Sequence, residues 1–275
     1  MAKRKTAGQA TEPALSREQI DQMLTILRDV DSLELKLVAP ADTHRATIGK
    51  LGVDPIDSEV RQVYFFDTPN LDLNKAGLVV RARRIAGGAG DTVVKLRPVN
   101  PAEIGKELRR SESFKTEVDA VPGGFVCSGS FKGRCKAQEV RDAVAGEMPL
   151  DRLFSKEQRA FYRAHAPKGI ELKSLATFGP TFVLKVRVWV KQLDRRLVVE
   201  LWLFPDGSRN LEISAKASPA EAFQFAAELK KFLADRGIKL TGNQQTKTRA
   251  AMEFFAPEVR RQPVKRKPVR RARKA

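Results

Sequence analysis

The sequence has few of the residues that carry covalent or thiol chemistry. Its 275 residues include two cysteines, two histidines, two tyrosines and two tryptophans. No histidine is near Cys127 or Cys135 in the sequence, which argues against a zinc site, and two isolated thiols favour a reducing compartment. His44 and His165 fall in predicted surface helices, so the sequence offers no evident Ser-His or Cys-His pair for nucleophilic catalysis.

Long apolar segments are also missing. No run approaches the length needed to cross a membrane, and the first ten residues, MAKRKTAGQA, lack the apolar segment of a signal peptide. We therefore expect a cytoplasmic protein without membrane contact. Because 42% of the residues are hydrophobic, the chain can still bury a core, which excludes global disorder.

Acidic residues are scarce relative to basic ones, and the formal net charge is +18. Residues 1–15 and 257–275 together hold twelve Lys or Arg against two Glu, which leaves 39 basic and 31 acidic residues between them. This remaining excess favours an anionic ligand. We expect disordered tails at 1–15 and 257–275 and a single domain at 16–256. The basic C-terminal tail is a candidate for nonspecific nucleic-acid contact, or equally for a solubilising extension.

Eight segments have the alternation of β-strands. They lie at roughly 32–38, 60–67, 78–85, 91–97, 112–119, 182–191, 195–204 and 209–216. In seven of them charged side chains share one face and apolar side chains the other, as with Arg81 and Arg83 opposite Val80 and Ala82. Like charges on neighbouring strands repel unless an anion lies among them.

Two architectures fit this alternation. An antiparallel sheet can expose its charged face to water, or eight strands can close into a barrel with the charges inside. The charged faces have little Ser, Thr or Asn and an excess of Lys and Arg, which favours the barrel. We predict an α+β fold, an eight-stranded antiparallel β tunnel with a charged interior flanked by amphipathic helices. Helices are predicted from Ser16, Ser155, Ser218 and Gln245, and a loop-rich connection at 120–150.

The segment VYFFDTPNLDLNKAGLVVRARR resembles the CYTH family of triphosphate tunnel proteins. The matching residues are Tyr64, Phe66, Asp67, Thr68, Pro69, Leu73, Gly77, Arg81 and Arg83. The lysine that ends the family's next strand is matched by Lys95. The resemblance spans about residues 31 to 250 and implies an eight-stranded tunnel lined by inward charges.

The resemblance also implies a site. Its basic residues would grip a triphosphate or polyphosphate chain: Lys36, Arg81, Arg83, Lys95, Arg97, Lys115, Lys185, Arg187 and Lys247. Of these, Lys36, Arg81 and Lys95 would act in catalysis. Its carboxylates would hold Mg²⁺ or Mn²⁺: Glu34, Glu117, Asp119, Glu200 and Glu212. Arginine suits a phosphate chain because its planar fork donates two hydrogen bonds, and divalent cations bridge carboxylate to phosphate.

Three positions depart from the family's pattern. Ser32, Phe204 and Ser214 stand where the family usually has acidic residues, whereas nearly every cation is retained. Phosphate-chain binding is therefore the firmer expectation. Three functions stay open: a metal-dependent triphosphatase, a non-catalytic binder of polyphosphate or nucleic-acid ends, and a class IV-type adenylyl cyclase. No residue set in the sequence identifies an adenine pocket.

Overall fold

A computed structural model describes residues 15–240 and 247–261. Its strands are β1 (Ser32–Ala39), β2 (Glu59–Asp67), β3 (Leu78–Ile85), β4 (Ala89–Leu96), β5 (Phe114–Val121), β6 (Gly124–Lys136), β7 (Ala176–Val190), β8 (Arg195–Leu203) and β9 (Arg209–Ala217). Its helices are α1 (Arg17–Leu27), α2 (His44–Leu51), α3 (Asp72–Lys75), α4 (Lys106–Arg110), α5 (Ala137–Ala145), α6 (Lys156–His165), α7 (Ala222–Asp235) and α8 (Lys247–Arg261).

The strands form one closed barrel in the order β1-β5-β6-β4-β3-β2-β7-β8-β9, and β9 pairs with β1 to complete the ring. Every neighbouring pair is antiparallel except β1 and β5, which run parallel. The prediction of an α+β barrel is confirmed. The predicted count of eight strands is wrong, because the barrel has nine, and the fully antiparallel arrangement is wrong at one pair.

The extra strand is β6, which lies in the segment predicted to be a loop-rich connection. Its glycines suggested a loop, but the structure uses two of them for close packing. A Cβ on Gly133 would lie 2.6 Å from Thr92 Oγ1 and 2.8 Å from Gln158 Oε1, and one on Gly129 would lie 2.8 Å from the Phe114 ring. Sequence reasoning lost this strand because glycine weakens the alternation on which strand prediction depends.

Helices cover the outside of the barrel. The α1 and α7 helices pack on the apolar outer residues of β1, β5 and β9, while α5 and α6 pack over β3, β4 and β6. Capping boxes at Ser16 with Gln19 and at Ser155 with Gln158 open α1 and α6 at the predicted positions. None of the helices within residues 15–240 and 247–261 is long and apolar enough to span a membrane.

The α8 helix covers one end of the barrel. Ala251, Met252 and Phe255 pack against Val63 and other apolar residues on the inner wall: Phe65, Val79, Phe178, Val183 and Trp202. The helix continues through Pro257 to Arg261, so the predicted tail boundary at residue 257 is wrong for the first five residues. The rest of both predicted tails, 1–14 and 262–275, lies outside the described residues.

Candidate anion-binding tunnel

Strand register places the predicted basic residues on the inner wall. Directly opposed residues on neighbouring strands point to the same face of a sheet. Arg81 opposes Phe65 on β2, and Lys95 opposes Val79 on β3, and both partners belong to the inner apolar cluster. The same register carries the charged face around the barrel through β6, β5, β1, β9, β8 and β7. The charged faces of the strands therefore converge on one interior.

Two residues of the family-like segment serve the backbone instead of a ligand. Asp67 is fully buried, and its carboxylate accepts hydrogen bonds from the backbone N–H groups of Thr68, Leu73 and Asn74 at 2.7 to 2.9 Å. It thereby fixes the turn that leads into α3. Gly77 has φ +77°, and a Cβ there would collide with the carbonyl oxygen of Arg97. Both residues set the entry into β3, which carries the arginines.

Asp119 joins two of the predicted lysines. Its carboxylate lies 2.6 Å from Lys36 Nζ and 3.0 Å from Lys95 Nζ, and Lys36 also contacts Glu34 at 3.3 Å. Burial works against the Asp119 charge, but the two ammonium groups outweigh it and hold the pKa of Asp119 well below its usual range. For Lys95 burial prevails over Asp119, and its pKa is lowered. The structure thus brings four predicted site residues into contact.

Glu200 and Glu212 form a second cluster around Lys247. These two glutamates are directly opposed on β8 and β9, and the Lys247 ammonium contacts both, at 3.4 Å from Glu200 Oε2. Lys185 lies 3.2 Å from Glu200 Oε1. The Trp202 ring lies below Lys247, with its centroid 5.0 Å from Nζ. Every one of these charged groups on the inner wall is neutralised by a neighbour.

Two arginines on the inner wall lack such neutralisation. Within the described residues, the guanidinium groups of Arg81 and Arg97 make no ion pair and no hydrogen bond, and Arg81 Nε is shielded from solvent. Burial, with nearby Arg83, lowers the pKa of Arg81 to about 9, and burial also lowers the pKa of Arg97. Two more buried polar atoms on the same wall, Thr181 Oγ1 and Asn210 Oδ1, have no partner. The wall therefore carries unsatisfied charge and hydrogen-bonding capacity.

The end of the barrel opposite α8 is more exposed. Glu117 contacts Lys132 at 3.2 Å and also Lys216, whose side chains are 47% and 51% exposed. Burial raises the pKa of Glu117, but these two cations outweigh that effect and lower it to about 2. Arg187 lies 3.5 Å from Glu59.

The other predicted cations at this end differ in exposure. Arg83 is paired with Asp91 at 2.8 Å, whereas Lys115 is exposed and has no ion pair in the described chain. Lys115 has the inward parity of β5 but lies near the start of that strand. Arg187 is the other predicted phosphate-binding residue that is exposed, with 43% of its side chain accessible.

Sequence reasoning missed five charged residues of the inner wall: Glu59, Arg61, Asp91, Lys132 and Lys216 as a partner of Glu117. Arg61 is only 5% exposed and pairs with Glu59. The alternation of Glu59, Arg61 and Val63 was available in the sequence but is obscured by the aromatic run that follows. Lys132 could not be found because its strand was predicted to be a loop.

The predicted metal ligands do not assemble into a divalent-cation centre. Across the described ranges, no group of three or more His, Cys, Asp or Glu side chains is placed to hold a metal ion. Each of the five predicted carboxylates instead contacts at least one lysine. Binding of Mg²⁺ or Mn²⁺ by these carboxylates stays a prediction, and it does not fit the lysine-paired arrangement.

A separate cavity of about 230 Å³ lies outside the barrel between α1, α7 and the outer face of β1 and β5. Its lining is almost entirely apolar, and none of the predicted site residues reaches it.

Two solved structures share this fold. An adenylyl cyclase candidate from Hippeastrum, described as having a dominant triphosphatase activity, has a TM-score of 0.61 and 14% identity, with 80% of this chain and 94% of that chain covered. An adenylate cyclase candidate from Bacillus halodurans has a TM-score of 0.57 and 15% identity, with 80% and 97% covered. No family model and no curated protein matches the sequence. The chain has a CYTH-like tunnel fold.

Proposed function

We propose that the protein binds a triphosphate or polyphosphate chain inside the barrel. The observation that carries this proposal is the pair of arginines, Arg81 and Arg97, whose guanidinium groups have no partner among the described residues, on an inner wall where the other buried cations have carboxylate partners. A buried charge without a partner costs several kcal/mol, and proteins rarely retain one unless a ligand or metal compensates it. A phosphate chain is the anion that arginine forks match.

The lysines around Arg81 and Arg97 support a chain longer than one phosphate. Lys36 and Lys95 share Asp119, so the two ammonium groups have one carboxylate between them. An entering phosphate oxygen can replace part of that contact without leaving either lysine unpaired. Ammonium groups offer three donors each and adapt to several anion positions, which suits a flexible phosphate chain.

Hydrolysis is the second candidate function. The Hippeastrum protein that shares the fold is described as having a dominant triphosphatase activity, and both fold neighbours are named as adenylyl cyclase candidates. A triphosphatase or a cyclase would use the same basic wall, with Lys36, Arg81 and Lys95 as the groups that act on the phosphates. A cyclase would also need a site for adenine. The ring of Trp202 on the inner wall is covered by the Lys247 ammonium group and is not free to stack on a base.

Tripolyphosphate titration tests binding. A ligand that binds only the folded state at one hundred times its Kd stabilises it by about 2.7 kcal/mol, so the melting temperature should rise. Arg81→Met should abolish the rise, while Arg84→Met, an exposed arginine on the outer face of the same strand, should not. An unchanged melting temperature at millimolar tripolyphosphate would refute the proposal.

Activity assays separate the two candidates. Phosphate release from tripolyphosphate, thiamine triphosphate and ATP, measured with Mg²⁺ and with Mn²⁺, identifies a hydrolase. Formation of cyclic AMP from ATP identifies a cyclase. Binding without either product identifies a carrier or sensor of the phosphate chain.

A further inference from the structure

Lys247 is held in one position by three contacts. Its ammonium contacts Glu200 and Glu212, lies over the Trp202 ring, and has a side chain only 13% exposed. Its helix is fixed one turn further on, where Ala251 and Met252 pack on the inner apolar cluster. The lysine is therefore delivered to the two carboxylates by a packed helix and not by a mobile loop.

The two carboxylates need a cation between them. Glu200 and Glu212 are directly opposed on neighbouring strands, where like charges destabilise a sheet. Their side chains are 14% and 8% exposed, so water screens them little. A divalent metal could meet this need, and so can an ammonium group.

Both carboxylate oxygens of Glu200 also have other partners. Glu200 Oε1 contacts Lys185 at 3.2 Å, and Glu200 Oε2 accepts a hydrogen bond from Trp202 Nε1 at 3.3 Å. A Mg²⁺ or Ca²⁺ ion requires oxygen ligands at about 2.0–2.6 Å and usually six of them. The space that such an ion would take between the carboxylates holds Lys247 Nζ.

We infer that Lys247 is the resident cation of this tunnel and takes the place that a divalent metal would fill, so that the protein grips a phosphate chain without metal. This inference rests on the proposed phosphate-chain binding. It assigns Lys247 as a positioning residue that neutralises the glutamates and leaves the arginines and the remaining lysines to the ligand.

The first experiment uses the full chain and two measurements. Electron paramagnetic resonance should show that the wild type binds no added Mn²⁺ at submillimolar concentrations. Glu200→Gln should therefore give the same signal as the wild type. The rise in melting temperature with tripolyphosphate should be at least as large in EDTA as in MgCl₂, because Mg²⁺ then only complexes the ligand. Mn²⁺ binding that depends on Glu200, or a rise that appears only with metal, would overturn the inference.

A second experiment removes the Lys247 ammonium group from between the two glutamates. Lys247→Met should gain a rise in melting temperature with Mn²⁺ that the wild type lacks, and Lys247→Arg should not. Lys231→Met, which removes an exposed lysine paired with Asp235, is the matched control and should gain nothing. A folded Lys247→Met protein that gains no Mn²⁺ response contradicts the inference. If that variant does not fold, the wild-type measurements still decide.

The two proposals fail separately. The absence of any tripolyphosphate response in either buffer refutes phosphate-chain binding, whereas the Mn²⁺ measurement contains no phosphate and tests Lys247 alone.

Discussion

Replacement of Arg81 by methionine should make the unliganded protein more stable and abolish its stabilisation by tripolyphosphate. The lowering of the pKa of Arg81 to about 9 corresponds to roughly 5 kcal/mol of net unfavourable free energy for its charged form, a figure that already includes its attraction to Asp91 and Glu200. Methionine fills a similar volume without charge. The gain is smaller than this figure because the Arg81 side chain is partly exposed and water screens its charge. We expect a net gain of about 2 kcal/mol, or a rise of roughly 4–8 °C for a domain of this size.

The assay is thermal and urea unfolding with and without tripolyphosphate, beside the Arg84→Met control. If Arg81→Met instead destabilises the unliganded protein, or keeps the full tripolyphosphate response, the argument from an unpaired buried arginine is wrong.

Three further predictions follow from individual contacts. Glu117→Gln should cost roughly 3 kcal/mol at neutral pH. Because the pKa of Glu117 is lowered to about 2, wild-type urea midpoints should lose this contribution as the pH falls from about 4 to 2. Gly133→Ala should destabilise by about 1–3 kcal/mol through collision with α6, whereas Gly105→Ala, which meets no atom within 4 Å, should be tolerated in the same melts. Deletion of residues 262–275, which removes seven Lys or Arg, should weaken retention on a heparin or DNA column and reduce the salt dependence of that retention, without changing tripolyphosphate binding. Loss of both column retention and tripolyphosphate binding would mean that the anion site has been assigned to the wrong place.

The inner wall could be predicted because strand parity is a local property. Arg81 and Arg83, or Lys95 and Arg97, reveal their common face within a few residues, and the excess of cations on those faces indicates an enclosed anion site. The alternation alone also fits an open sheet, and it is the excess of Lys and Arg on the charged faces that favours the closed barrel of the structure. The α6 helix could also be predicted, because its capping box is formed within four consecutive residues.

Contacts between residues that are distant in the sequence could not be predicted in the same way. Nothing local to Lys247 indicates that its ammonium lies between Glu200 and Glu212, 47 and 35 residues earlier, because that contact depends on where α8 packs. The five carboxylates were predicted as metal ligands from the family resemblance, which does not indicate which cation lies next to each acid. The parallel pairing of β1 with β5 is likewise a property of the closed ring.

The spacing of the inner cations predicts a preference for long phosphate chains. Arg81 opposes Val93, two residues before Lys95, so Arg81 and Lys95 are diagonal neighbours about 7–8 Å apart at the backbone. Arg97 lies two residues beyond Lys95, another ~7 Å along the chain. One orthophosphate can satisfy one end of this row, whereas a chain of three phosphates can contact its whole length.

Calorimetric affinities should therefore follow the order tripolyphosphate, pyrophosphate, orthophosphate, and Arg97→Met should reduce the first more than the last. Sulfate is the control for charge without chain length. Equal affinity for sulfate and tripolyphosphate would mean that this row of cations attracts anions only through its net positive charge. The proposal that the tunnel recognises a phosphate chain would then be refuted.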